Sequence, residues 1–198
     1  MIASPPQSVL SPDAYRQQEQ GAEGRHEYYN GLLHVMTGGS IIHNDIIINL
    51  IITLSALLQS RDFRVNANDL RVWIPESACG LYPDVILIQG QPEFTPNRTD
   101  EVINPHTVFE VLSKSTESYD RGKKFHLYRS LPSLQNYVLI SQDSCQIEVF
   151  LKTVNGDWLL KVCEDLNDEI KLGEAITLPV AKIYRNIRFE RTASNSEI

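Results

Sequence analysis

Two short apolar runs, each carrying one carboxylate, constrain this chain more than any other feature: Asp84-Val85-Ile86-Leu87-Ile88 and Thr107-Val108-Phe109-Glu110-Val111-Leu112. Both are β-branched and bounded by Gly and Pro, the pattern of buried strands. A lone carboxylate in such a strand costs several kcal/mol to bury unless a cation or hydrogen-bond donors compensate it. Two acids on neighbouring strands also repel each other, and a bound Mg²⁺ is the simplest remedy. A second reading fits the same residues: Asp84 caps a turn after Pro83, and Glu110 pairs with an arginine.

A chain of 198 residues can bury a sizeable core in one domain, here taken as 1–198 with flexible ends at 1–10 and 190–198. With 42% apolar and 22% charged residues it reads as globular. The net charge of -7 argues against a non-specific nucleic-acid coat, though not against a local basic groove over an acidic site. Cys79, Cys145 and Cys163 make no C-x-x-C pair, so they read as idle thiols of a reducing compartment. No basic-then-apolar leader opens the chain. The most apolar run, Ile46 to Leu58, is 13 residues and too short to span a bilayer. Together these predict a cytoplasmic protein without a membrane segment.

Ser11-Pro12-Asp13 sets up a helix start, carried to about Gln20. Asn30-Gly31 joins His26–Tyr29 to Leu32–Met36 as a tight hairpin. A helix is predicted over Ile41–Ser60, buried all round because it is apolar nearly all round. Further strands are predicted at Phe63–Val65, Leu70–Ile74, Gln135–Ser141, Gln146–Lys152 and Trp158–Val162, the last two joined by an Asn155-Gly156 turn. Residues 89–106 hold Gly90, Pro92, Pro96 and Pro105 and read as a long loop. A short amphipathic piece over Val180–Tyr184 is followed by Arg185, Arg188 and Arg191. With Lys182 these make a phosphate-contacting stripe or, more simply, a solvated face.

The helix predicted over Tyr119–Leu131 is the most informative. At about 100° per residue, Asp120, Lys124, Leu127 and Leu131 share one stripe, so Lys124 sits on an apolar face. Either a buried acid partners it, and Glu110 is on the preceding strand, or it snorkels to the surface. Lys123 and His126 fall off the stripe, as does Phe125.

Arg25-x-Glu27-x-x-x-Gly31, His43, Pro83-Asp84-Val85, Glu110-Val111-Leu112-Ser113 and Asp120-x-x-x-Lys124-x-x-x-Tyr128 occur in that order. This series resembles the Uma2 family of restriction endonucleases, a bacterial branch of the PD-(D/E)XK nuclease superfamily, over about Ser11 to Tyr184. The resemblance implies an α/β (α+β) fold, a restriction-endonuclease-like core whose mixed central β-sheet is flanked by helices. It implies a Mg²⁺- or Mn²⁺-dependent endonuclease acting on DNA, as a homodimer whose two sites address two strands. Asp84 and Glu110 would be metal ligands with the Val111 carbonyl, and Glu27 would complete the acidic cluster. Leu112 stands where the superfamily places a lysine, and Lys124 would supply that charge from the helix; Lys114 is a rival for the role. Asn30, Asn136 and Ser141 are further departures. His43 is either a general base or a helix-terminal histidine bonded to a carbonyl. A catalytically silent nuclease fold that binds DNA or a protein is the alternative, which retention of Asp84, Glu110 and Lys124 together disfavours.

Overall fold

The computed structural model describes residues 9–36, 38–173 and 176–189. The elements in order are α1 (Pro12–Gln20), β1 (His26–Tyr29), β2 (Leu32–Val35), α2 (Ile41–Leu57), β3 (Phe63–Ala67), β4 (Arg71–Ile74), β5 (Cys79–Leu81) and β6 (Val85–Gln89). There follow β7 (Glu101–Val102), β8 (Thr107–Leu112), α3 (Glu117–Tyr119), a π-helical turn over Asp120–Lys124, α4 (Phe125–Tyr128), β9 (Asn136–Ser141), β10 (Ile147–Lys152) and β11 (Trp158–Cys163). A hairpin of β12 (Glu169–Leu172) and β13 (Ile176–Pro179) and a last turn of helix, α5 (Val180–Ile183), complete the chain. The fold is α+β.

Six strands form the central sheet in the order β11-β10-β9-β8-β6-β3. It is mixed: β6 and β8 run antiparallel, β8 and β9 parallel. Because side chains alternate across a strand, each apolar run supplies both faces. Val85, Leu87, Phe109 and Val111 pack with Ile46, Leu50 and Leu54 of α2 on one side. Ile86, Ile88, Val108 and Leu112 pack with Leu127, Tyr128 and Leu131 on the other, together with Val72, Ile74 and Leu81 of a smaller sheet ordered β2-β1-β5-β4-β7. Continuous apolar runs, without polar alternation, are what burial on both faces requires.

Local signals account for much of this. Ser11 caps α1 by accepting from the Ala14 N–H, with Pro12 at the first position. Asn30 (φ 51°) and Gly31 (φ 77°) make the left-handed pair of the β1–β2 hairpin. Gly156 (φ 86°) turns β10 into β11.

Several expectations need correcting. Leu10 is not a loose end: its N–H donates to the Gly31 carbonyl, and its own carbonyl accepts from the Tyr28 hydroxyl. Residues 1–8 and 190–198, Arg191 among them, lie outside the described residues. Helix α2 is not buried all round. Ile46, Ile47, Leu50 and Leu54 face the sheet, whereas Ile41, Ile48, Ile52 and Leu57 are exposed. The 89–106 segment contains β7, which pairs with β4. The π turn inserts extra chain into the helix, and this brings Phe125 into a cluster with Tyr137, Phe150 and Trp158 that a strict 3.6-residue period misses. Lys182, Arg185 and Arg188 are exposed, a solvated face. Among the described residues no helix is long and apolar enough to cross a membrane.

Candidate active site

The antiparallel register pairs Val85 with Phe109, which sets Asp84 across from Glu110 at the same end of the sheet. The Val111 N–H donates to Asp84 Oδ2 at 2.7 Å, locking the two chains together at that level. Glu110 is buried in the middle of β8. Among the described residues Lys124, and no arginine, pairs with it. Lys124 Nζ lies 2.9 Å from Glu110 Oε1, 3.2 Å from Glu27 Oε1 and 3.6 Å from Asp120 Oδ1, and donates to the Tyr82 carbonyl at 3.4 Å. Lys124 is only 5% exposed, so it does not snorkel. The Tyr82 N–H donates in turn to Glu27 Oε1, fixing the β1 acid against the strand that leads into Asp84.

Electrostatics follow from that burial. Desolvation disfavours the charged form of Lys124, but Glu110 and then Glu27 outweigh it and hold the ammonium protonated well above the ordinary lysine value. Burial drives the Glu110 carboxyl well above the usual range; Lys124 opposes this, while Asp120 and Asp84 add to it. Lys124, 2.9 Å away, is thus the cation that Glu110 Oε1 meets, and Glu27 and Asp120 share it.

His43 is held at the start of α2, where its N–H donates to the Ser40 hydroxyl. Its Nε2 is 3.4 Å from Asp84 Oδ2. Burial lowers its pKa, but contacts with Asp84 and the Val111 carbonyl reverse the sign and raise it. Both readings of His43 thus keep a footing, since it faces a carboxylate and a carbonyl together. Gly39 makes room for the ring: a Cβ there would stand 2.6 Å from His43 Nδ1. Lys114 is exposed, and Lys123 sets its ammonium 3.6 Å over the Tyr29 ring.

These side chains line a cavity of about 410 Å³ that also takes in His34, Ser113, Ser115 and Gln142. A model of the Uma2 family, described as "Putative restriction endonuclease", matches residues 12–181. The chain belongs to the Uma2 family. Two uncharacterised proteins of Synechocystis resemble it: sll1609 is 36% identical over 163 residues, 82% of this chain and 92% of the relative. The other, slr1290, is 35% identical over 193 residues, 96% of this chain and all of the relative. The crystal structure of a "putative nuclease belonging to DUF820" from Anabaena variabilis superposes with a TM-score of 0.73 over 88% of this chain and 97% of that one. At 15% identity that likeness speaks for the fold alone.

In this Uma2 chain two residues join the site without having been singled out for it. Asp120 shares the helix stripe with Lys124, yet as an acid at the start of a helix it reads as a favourable end charge. Tyr119 lines the same cavity with its hydroxyl buried beside Glu27. A hydroxyl beside an apolar stripe carries no sequence signal.

Among the described residues no three His, Cys, Asp or Glu side chains form a ready metal cage. The donor set still fits Mg²⁺ or Mn²⁺, because Mg²⁺ is usually held by one or two carboxylates and keeps several waters. Asp84 and Glu110 are opposed hard-oxygen donors, and the one lysine at Glu110 is shared with Glu27 and Asp120, which leaves the cluster with more carboxylates than cations.

Asp120 offers a test of the site's charge excess. Burial raises its carboxyl pKa; Lys124 and a Thr116 hydrogen bond oppose the shift, and Asp84 and Glu27 add to it. The folded state then holds this proton more tightly than the unfolded chain, so stability falls as pH rises above the ordinary carboxylate value. Asp120→Asn removes that loss. In EDTA the variant should be more stable than wild type by about 1 kcal/mol at pH 7, with the gap closing towards pH 4. Urea unfolding at both pH values measures it; a gap independent of pH would exclude the electrostatic cause.

Proposed function

We propose that this protein is a Mg²⁺- or Mn²⁺-dependent endonuclease that hydrolyses DNA phosphodiesters. The observation that carries the reading is a buried acid, Glu110, opposite Asp84, with the Lys124 ammonium 2.9 Å from it. Family membership supports it.

Asp84, Glu110 and the Val111 carbonyl would hold the ion. When bound, Mg²⁺ supplies an activated water and neutralises charge building on the phosphoryl oxygens. Lys124 stays charged, held from behind by Glu27, and directs its positive field at the attacked phosphate and the incoming water. Glu27 is thereby a positioning residue. His43, 3.4 Å from Asp84, would take the proton released by the attacking water.

The free thiols, Cys79 pushed up to about 12 by burial, suit a cytoplasmic setting. Association of two copies belongs to the same reading. It is supported by the exposed Ile41, Ile48 and Ile52 face of α2, a helix whose first turn carries His43.

Incubation with double- and single-stranded circular DNA across a Mg²⁺ and Mn²⁺ titration tests the activity. Cleavage should require the divalent ion and stop on adding EDTA. Cleavage in EDTA, or none on either circle at any metal concentration, sinks the reading.

A further inference from the structure

The cavity bears on which form of nucleic acid this site accepts, an inference that rests on the nuclease reading above. Its floor is deep: Glu27, Glu110 and Lys124 are each at most 5% exposed. At about 410 Å³ it is near the lower end of pockets that enclose a drug-sized molecule, roughly 300–1,000 Å³, which is room for about one nucleotide. A duplex presents its phosphates on a broad convex surface with the base pairs behind them. To reach Glu110 it would have to carry that whole surface into the mouth. A strand that is free to bend brings in one phosphodiester at a time.

Charge around the mouth points the same way. Duplex binders commonly neutralise several phosphates, about 6–10 where salt dependence is steep. Here Lys124 is occupied by Glu110 and Glu27. Among the described residues, cations beside the opening include Lys123, over Tyr29, and Lys114, exposed between Ser113 and Ser115 of the cavity wall. Past Asp84 and His43 lies a second cavity of about 650 Å³ where Glu19, Glu23 and Asp69 face Arg25, and Arg25 is already paired with Asp69. A second strand laid there would set its phosphates against acids.

We infer that the substrate is an unpaired, flexible nucleic-acid strand, held by about two phosphate contacts on the Lys114–Lys123 side, and that a paired duplex is excluded. The 113–116 hydroxyls, Ser113 bonded to both Ser115 and Thr116, form the wall over which that strand passes. Tyr119, on the cavity wall, offers an aromatic face for an unpaired base.

The test uses the full chain with Ca²⁺ in place of Mg²⁺, and a labelled oligonucleotide presented either as a single strand or as the matching hairpin duplex. Fluorescence anisotropy across a salt series should give at least about tenfold tighter binding of the single strand. Its log–log salt slope should be about -1.4, or roughly 0.7 for each of two contacts. Lys114→Gln combined with Lys123→Gln should flatten the slope. Equal or tighter binding of the duplex, or a slope steeper than about -4, overturns the inference, as does binding of neither form. Cleavage with Mg²⁺ is scored separately. Selective binding of the single strand without any cleavage upholds this inference while the nuclease reading falls; cleavage of both forms at equal rates does the reverse.

Discussion

Asp84→Asn and Glu110→Gln should each lower metal-dependent cleavage by about 10³-fold or more, the scale of losing a metal's stabilisation of the transition state. Both should also weaken Mg²⁺ binding. Lys124→Met should lower cleavage to a similar degree yet leave Mg²⁺ binding at the wild-type level or slightly tighter. The difference comes from the proposed roles, in which the two acids would hold the ion and Lys124 would act on water and phosphate. It is sharpened by the geometry: with Lys124 gone, Glu110 and Glu27 lose the cation at 2.9 and 3.2 Å and attract a divalent ion more strongly. Met keeps the length of the buried stem, which limits the damage to packing. Isothermal titration with Mg²⁺ or Mn²⁺ beside a nicking assay separates the two patterns. Equal metal binding by wild type and Asp84→Asn would refute the assignment.

The second large effect lies outside the site. Arg71, 1% exposed, donates from Nε to Glu101 Oε2 at 2.7 Å and from Nη1 to the Tyr82 hydroxyl at 3.0 Å. Glu101, fully buried, also accepts from Thr95 at 2.7 Å and Arg16 at 3.0 Å. Breaking a buried pair from one side leaves a charge uncompensated, which typically costs about 3–5 kcal/mol. Arg71→Met should therefore lower Tm by roughly 10 °C at about 2–4 °C per kcal/mol for a domain of this size. Adding Glu101→Gln should recover part of that loss, because the neutral amide no longer needs the guanidinium, while Arg16 still donates to it. A coupling of at least about 1 kcal/mol is expected from the double-mutant cycle. Strict additivity would mean that Arg71 stabilises only by filling space.

The same network reaches the site through one residue. The Tyr82 hydroxyl accepts from Arg71 and donates to Glu19, its N–H donates to Glu27, and its carbonyl accepts from Lys124. Arg71, Glu27 and Lys124 come from three separate parts of the chain, and no sequence spacing joins them.

What the sequence by itself determined were the misfits and the turns. Asp84 and Glu110 stand out in apolar strands, and Lys124 on an apolar stripe, because burying a charge is costly enough to need a reason. Asn30-Gly31 and Ser11-Pro12 state their local geometry in two residues each, through left-handed φ and helix capping. Tertiary structure alone decided what these misfits meet. β5 spans three residues and β7 two, too few for any period to show, yet they complete the sheet that carries Glu27 to Lys124. The π turn shifts the helix face by less than a turn, which no residue in Asp120–Lys124 announces, and Phe125 is packed because of it. Helix α2 shows the converse: Ile48 and Ile52 are as apolar as Ile46 and Leu50, and only the position of one sheet leaves the first two exposed. Hydrophobic character sets which residues can be buried; the arrangement of distant strands sets which of them are.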